Sequence, residues 1–360
     1  MPRILRTIFC AFALASSVTI AQQPAQKGTT AAEAPNTDTS YIDANGTAHI
    51  TRVIPVPQDL SPEAQKFIGQ PRSDAPSDDS LAAARHFFET GAPKARAAWS
   101  KLYPNSAQEV TVSGVPVHVI TPDDMSAANR DKVLMNLHGG GFTTDSGSYT
   151  ESIPVAWYTG IKVVSVLYRL APEHPYPAAV DDVVAVYKEL LKTYTPNHIV
   201  IYGTSAGATL TAEVAVRLKQ LALPMPAALG IFSSLDTFER MGDSYAMFTL
   251  HGLGGPLTPP TAGVVHDSGY LGSANPSDPV LSPINADLHG LPPALFITST
   301  RDALLSSTAN LHRAYLRAGV DARLVVFDGL PHAFWYRPDL PESIEAIKIM
   351  AGFFVKQLAH

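Results

Sequence analysis

From Glu109 onward, short apolar runs alternate with stretches in which apolar side chains recur every three or four residues. The runs are Val110–Val112, Val117–Ile120, Val133–Leu137, Val163–Leu167, Ile199–Tyr202, Ala228–Phe232, Leu295–Thr298 and Leu324–Phe327. Several are continuously apolar rather than alternating, the pattern of strands covered on both faces. Between them, Val180, Val183, Val184, Tyr187, Leu190 and Leu191 form one helical stripe, with Asp181 and Asp182 suited to its first turn. Leu311, Ala314, Tyr315 and Ala318 repeat the pattern, and Gly319 is placed to end that helix. Ile344, Ile347, Ala351, Phe354 and Leu358 mark a C-terminal helix. Eight strands with interleaved helices predict an α/β fold built on a mostly parallel sheet.

The chain before Glu109 reads differently. Residues 49–108 carry helical patterns, one beginning at Ser61-Pro-Glu with proline at the first helical position and one over Leu81–Trp99. Residues 22–48 are rich in Ala, Thr, Pro, Gln and Asn, and bury too little apolar surface to offset the entropy of ordering, so a disordered linker is expected. Arg3 and Arg6 followed by the apolar stretch Ile8–Ile20 and a small residue at Ala21 read as a signal peptide over residues 1–21. The alternative is an N-terminal membrane anchor, but a bilayer span needs ~20 apolar residues and this run is shorter. A periplasmic or secreted protein without stable membrane anchoring is the expectation.

Composition narrows the chemistry. Hydrophobic residues are 46% of the 360, ample for a large core, while charged residues are 16% and the net charge is −6. Such a balance argues against nucleic-acid binding, which needs a basic face. The one cysteine, Cys10, lies inside the expected signal, so a mature chain would have no disulfide, thiolate zinc site or cysteine nucleophile. Histidine and acidic residues show no helical metal-ligand spacing, and neither metal nor organic cofactor is expected.

Three motifs carry chemistry. The apolar run from Ile199 ends in Gly203-Thr-Ser205-Ala-Gly207. Where a strand turns at once into a helix, glycines two before and two after relieve the crowding and let a serine hydroxyl project above the sheet. Ser205 is the candidate nucleophile. The run Val133–Leu137 leads into His138-Gly139-Gly140-Gly141, where consecutive glycines allow backbone N–H groups to face a developing oxyanion. His138 and Gly139 are read as orienting that loop. A serine needs a base, and an imidazole needs an anchor. Of twelve histidines, His332 directly follows the last apolar run, in Gly329-Leu-Pro-His332, where loops at strand ends converge. Asp302 follows the preceding run and gives the chain order Ser, Asp, His. Asp328, which ends the last run, is the rival acid, and helix capping is the other reading of Asp302.

His138-Gly-Gly-Gly141, then Tyr168-Arg-Leu-Ala-Pro-Glu-His-Pro-Tyr-Pro-Ala-Ala-Val-Asp-Asp182, then Gly203-Thr-Ser-Ala-Gly207, resembles the hormone-sensitive-lipase family of bacterial esterases in order and spacing. The resemblance covers residues from about Glu109 to the C-terminus. It implies an α/β-hydrolase fold with a catalytic domain over residues 109–360, and Ser205, Asp302 and His332 as triad. It also implies an oxyanion hole from the backbone N–H groups of Gly140, Gly141 and Ala206, and a helical cap made by residues 49–108 and an insertion at about 236–283. Phe67, Phe87, Phe88, Met247 and Phe248 are candidates for an apolar pocket under that cap, or for its core. The expected activity is hydrolysis of small esters with short- to medium-chain acyl groups. The alternatives are a carbohydrate deacetylase, lactonase or amidase with the same triad, and a non-catalytic small-molecule binder on this scaffold. Nothing in the sequence speaks to oligomeric state.

Overall fold

The computed structural model describes residues 39–70, 80–254 and 269–359. The chain divides into two units, residues 1–55 and 56–360. In the first, Tyr41–Ile42 (β1) and Ala48–His49 (β2) pair antiparallel. Asp43 closes the turn by accepting from the amides of Asn45 and Thr47, each at 2.9 Å, and the Tyr41 ring stacks on His49 at 4.3 Å. The disordered linker expected through residue 48 is thus corrected at its end: an Asp–Asn–Gly turn orders a hairpin locally, without the core that composition showed to be lacking. The expected signal over residues 1–21, and the linker up to residue 38, lie outside the described residues. Among the described residues no helix is long and apolar enough to cross a membrane.

In the second unit, α1 (Pro62–Ile68) and α2 (Leu81–Leu102) precede the sheet. Ser61 caps α1 by accepting from the Ala64 amide at 3.1 Å. Glu342 in turn receives the Ser61 amide at 2.6 Å and its hydroxyl at 2.9 Å. Eight strands follow: β3 (Asn105–Val112), β4 (Val115–Pro122), β5 (Val133–Leu137), β6 (Val163–Val166), β7 (Ile199–Thr204), β8 (Ala228–Phe232), β9 (Ala294–Ser299) and β10 (Ala322–Phe327). Their spatial order is β10-β9-β8-β7-β5-β6-β4-β3. β4 runs antiparallel to β3 and β6, and all other neighbours are parallel. Residue 109, where the catalytic domain was expected to begin, falls inside β3, which starts at Asn105. This strand is an edge with largely exposed side chains, so its polar first half carries no apolar signature.

The central strands are buried throughout, as their unbroken apolar runs require. Helices α4 (Ala178–Leu190), α5 (Ala206–Gln220) and α7 (Leu305–Arg317) fill one face, and α3 (Ser152–Thr159) and α8 (Pro341–Gln357) the other. Burying each such aliphatic side chain contributes about 1.5–3 kcal/mol. A short helix, α6 (Asp243–Met247), lies in the insertion after β8, and Phe238, Tyr270, Val280 and Leu281 of that insertion join the α5-side core. Of the two acids expected in the first turn of α4 only Asp181 lies there; Asp182 instead accepts the Arg169 amide at 2.9 Å and pairs with its guanidinium.

The connections locate the site. From β5 the chain passes to β6 on one side and then to β7 on the other, so the carboxyl ends of β5 and β7 part at a topological switch point. The register aligns Leu137 with Gly203, Thr204 with Phe232, Phe232 with Ile297, and Ser299 with Phe327. Residues that follow β5, β7, β9 and β10 therefore share one rim.

Candidate active site

Ser205 sits between β7 and α5 with φ 60° and ψ −122°, a conformation rarely adopted outside glycine. Its amide continues the sheet ladder to Phe232 O at 2.9 Å, and its carbonyl receives the Thr209 amide at 3.0 Å. The flanking glycines answer to one atom: a Cβ at Gly203 would lie 2.3 Å from the Leu137 carbonyl oxygen, and one at Gly207 1.8 Å from it. Ala206 opens α5, where a helix offers its first N–H groups no internal acceptor and presents the positive end of its dipole.

The glycine loop follows β5. The Gly140 carbonyl is turned inward, receiving the amides of Thr143 and Thr144 at 3.0 and 3.1 Å and their hydroxyls at 3.2 and 3.0 Å. Gly140 has φ 116° and Gly141 φ 61°. His138 is buried and stacks on Tyr168 with ring centroids 4.2 Å apart; its Nδ1 is 2.9 Å from Gly139 O and 3.7 Å from Asp145. The Tyr168 hydroxyl donates to the His138 carbonyl at 2.6 Å. Asp145 accepts from the Gly147 and Ser148 amides at 3.1 and 2.9 Å and from the Ser148 hydroxyl at 2.5 Å. Burial pushes its carboxyl upward, but His138 and these donors outweigh that and hold it below the ordinary range.

At the ends of β9 and β10, His332 Nδ1 lies 2.9 Å from Asp302 Oδ1. Asp302 is fully buried, and its Oδ1 also accepts the Leu304 amide at 2.9 Å, while Oδ2 accepts from Thr298 Oγ1 at 3.0 Å and from the Ser233 hydroxyl. Burial disfavours its charge, yet His332 and these donors more than compensate, leaving the carboxyl below its usual value and anionic. The Leu304 bond is a turn contact just ahead of α7 rather than a helix cap, because α7 has Leu304 at its N-cap position and no side-chain cap bond. Asp328 is exposed and takes the Thr300 hydroxyl at 2.8 Å, so it is Asp302 that the fold brings to the imidazole. The other ring nitrogen, His332 Nε2, is buried without a hydrogen-bond partner among the described residues, and no hydrogen bond joins it to Ser205.

Ser233, Thr298 and Trp335 escaped the sequence reading. Trp335, three residues past His332, gives its indole N–H to Thr204 Oγ1 at 3.0 Å and so ties the histidine loop to the residue before Ser205. Nothing in a lone tryptophan or threonine signals a pairing made across 131 positions of chain.

Helix α2 is fastened beside the glycine loop. Arg85 donates to the carbonyls of Thr143 and Ala171, each at 3.0 Å, and bidentately to Glu173 at 2.7 Å. Under α2 lies a cavity of about 540 Å³ whose walls include Phe88, Ala92, His118, Asp145, Tyr149 and Leu170. A second, of about 380 Å³, shares Phe88, Ala92, Asp145 and Tyr149 and adds Phe87 and Tyr336. Both adjoin the continuation of the glycine loop, and neither is lined by Ser205 or His332. Of the aromatic and apolar candidates, Phe87 and Phe88 line these cavities. Phe67 does not; it packs on the α8-side core under the Arg337 guanidinium, 4.3 Å from its ring centre. Met247 is exposed and Phe248 buried outside both cavities. Among the described residues no three His, Cys, Asp or Glu side chains gather as a metal site requires.

A family model described as alpha/beta hydrolase fold matches residues 134–336. An acetyl-hydrolase of Streptomyces hygroscopicus is 32% identical over 248 residues, covering 66% of this chain and 81% of that protein. An esterase of Acinetobacter venetianus is 30% identical, over 70% of this chain and 84% of its own. A solved esterase from the bacterial hormone-sensitive lipase family superposes with TM-score 0.71 at 32% identity, covering 83% of this chain and 99% of that one. Another solved esterase reaches TM-score 0.77 at 29% identity over 87% of this chain and 99% of its own.

Proposed function

This chain is a carboxylic ester hydrolase of the hormone-sensitive-lipase family, on the α/β-hydrolase fold, and we propose that it works by acyl transfer through Ser205, His332 and Asp302. One observation carries the reading. His332 has its Nδ1 bound to a buried carboxylate and its Nε2 without a partner, on the rim where Ser205 is held at positive φ. An imidazole anchored in this way has one tautomer favoured, with the proton on Nδ1 and the lone pair on Nε2.

In the proposed cycle, Ser205 Oγ attacks the ester carbonyl carbon while its proton passes to His332 Nε2. The carbonyl oxygen becomes an anion facing the amides of Gly140, Gly141 and Ala206. Asp302 stabilises the imidazolium through Nδ1–H. The tetrahedral carbon then expels the alkoxide, which takes the proton from Nε2 and leaves as alcohol. Water repeats the sequence on the acyl-enzyme and frees the carboxylic acid and Ser205. His138 and Gly139 orient the glycine loop.

The substrate we propose is an uncharged ester with a short- to medium-chain acyl group. The support is the likeness to an acetyl-hydrolase and to esterases; the cavities under α2 place Phe87, Phe88 and Leu170 among many polar side chains and do not reach Ser205 or His332. Helices α1 and α2 and the described part of the insertion after β8 act as the cap in this reading. On its N-terminal sequence the enzyme is exported to the periplasm or beyond. A series of p-nitrophenyl esters tests the assignment. The kcat/KM should peak at acyl chains of about four to eight carbons and fall roughly tenfold or more beyond about twelve. Absence of turnover across the series, with hydrolysis of amides or lactones instead, would overturn it.

A further inference from the structure

Three parts of the site meet at a buried carboxyl for which the acyl-transfer cycle has no use. Glu151 stands at the start of α3 and is 2% exposed. Asn136, on β5 just before the glycine loop, donates Nδ2 to Glu151 Oε2 at 2.7 Å and accepts the Ser165 hydroxyl of β6, also at 2.7 Å. Trp335, from the His332 loop, favours the Glu151 anion from its own side while giving its N–H to Thr204 beside the nucleophile. The second carboxyl oxygen, Oε1, has no hydrogen-bond partner among the described residues. A buried carboxylate with a bare oxygen is costly, whereas the neutral acid leaves only an ordinary polar group to accommodate.

The charged and titratable groups facing Glu151 point the same way. Asp145, after the glycine loop, is anionic and repels a second negative charge. Tyr202 on β7 and Tyr168 after β6 are buried and Tyr336 after His332 is partly so, and burial drives their phenols well above the ordinary range, so they remain neutral. His138 and His118 bear on Asp145. Ser152 and Tyr202 have buried hydroxyls that also lack partners among the described residues. Among the described residues that bear most on Glu151 there is no cation.

We propose that Glu151 is a positioning residue that works as a neutral acid, holding the glycine loop, the Ser205 turn and the His332 loop in one arrangement, and that its ionisation impairs the site. The inference rests on the acyl-transfer reading of Ser205 and His332. Burial pushes the carboxyl up to about 8, against the Asn136 donor and the nearby Trp335 and with help from Asp145. A group with that value is neutral below about pH 8 and charged above it, so wild-type activity should decline on the alkaline side.

The test is the pH dependence of kcat/KM on a p-nitrophenyl ester, corrected for spontaneous hydrolysis, for wild type, Glu151→Gln and Glu151→Ala. Glutamine keeps the shape and the Asn136 contact but cannot ionise. It should stay within about threefold of wild type at pH 7 and lack the decline that wild type shows above about pH 8. Alanine should lose about tenfold or more at pH 7 while circular dichroism remains native. An alkaline decline unmoved in Glu151→Gln, or Glu151→Gln as weak at pH 7 as Glu151→Ala, would overturn the proposal. If the alanine chain does not fold, the glutamine profile decides alone. Ser205→Ala in the same buffers separates the failures. Turnover near the wild-type rate there removes the acyl-transfer reading. A loss of about 10⁴-fold in Ser205→Ala with an unmoved decline in Glu151→Gln removes only the role of Glu151.

Discussion

Replacing Ser205 with alanine should lower turnover of a p-nitrophenyl ester by about 10⁴-fold or more while leaving the protein folded. The loss is large because the nucleophile, not its surroundings, supplies the covalent step. What survives is the roughly 10³–10⁴-fold advantage over water that binding and oxyanion-facing amides give without it. Folding should be spared. Ser205 enters the ladder through its amide and carbonyl, to Phe232 and Thr209, and both contacts remain in alanine. Positive φ costs alanine about as much as serine, so the turn is no more strained than before. The check is a stopped assay alongside a thermal melt. Retention of most of the rate in a folded variant would place the chemistry elsewhere.

The second large effect is expected at Asp302. Asparagine there should reduce kcat by about 10³–10⁴-fold. It removes the charge that stabilises the imidazolium. Its amide also meets a site built from donors: the Ser233 and Thr298 hydroxyls, the Leu304 amide and His332. Turned to satisfy some of them, it opposes another, and a carbamoyl N–H toward His332 favours the wrong tautomer. Stability follows the same ledger of donors, and the variant should be weaker by about 1–3 kcal/mol at neutral pH. The pH dependence has a definite sign. The folded carboxyl lies below its unfolded value, so its contribution is full above the ordinary carboxylate range. It is lost as pH falls through the lower folded value. The stability gap between wild type and Asp302→Asn should therefore narrow below about pH 4, as denaturant titrations at stepped pH would show.

How much of this was legible beforehand varies with how local the physics is. β5 and β8 occupy the residues their apolar runs marked, because a strand buried on both faces has no polar face to blur its ends. The turn at Gly203-Thr-Ser205-Ala-Gly207 was readable for a related reason. The crowding that excludes side chains at residues 203 and 207 comes from the end of β5 and from the turn's own backbone, and any such turn meets it. β3 was half hidden because an exposed edge can be polar, and the β1–β2 hairpin because a five-residue turn stabilises it without a core. Asp302 and Asp328 were close to equivalent in sequence, each just past a strand. What separates them is tertiary: Ser233 from β8's end and Thr298 surround one with donors, and solvent surrounds the other. Phe67 is core rather than pocket, a choice the sequence left open because aromatic residues ahead of a sheet do not say which face they will cover. Glu151 gave no sign at all. A glutamate before a helix normally faces water and favours the helix dipole; only the convergence of Asn136 and Trp335 draws this one inside.

The most direct measurement is mass-spectrometric mapping of the site labelled by a fluorophosphonate, a reagent that reacts with serines activated as nucleophiles. The account predicts one phosphonyl group per chain, carried by the peptide containing Ser205, and labelling abolished or slowed by orders of magnitude in His332→Ala. An adduct on a different serine, or a native protein that takes up no label, would contradict it.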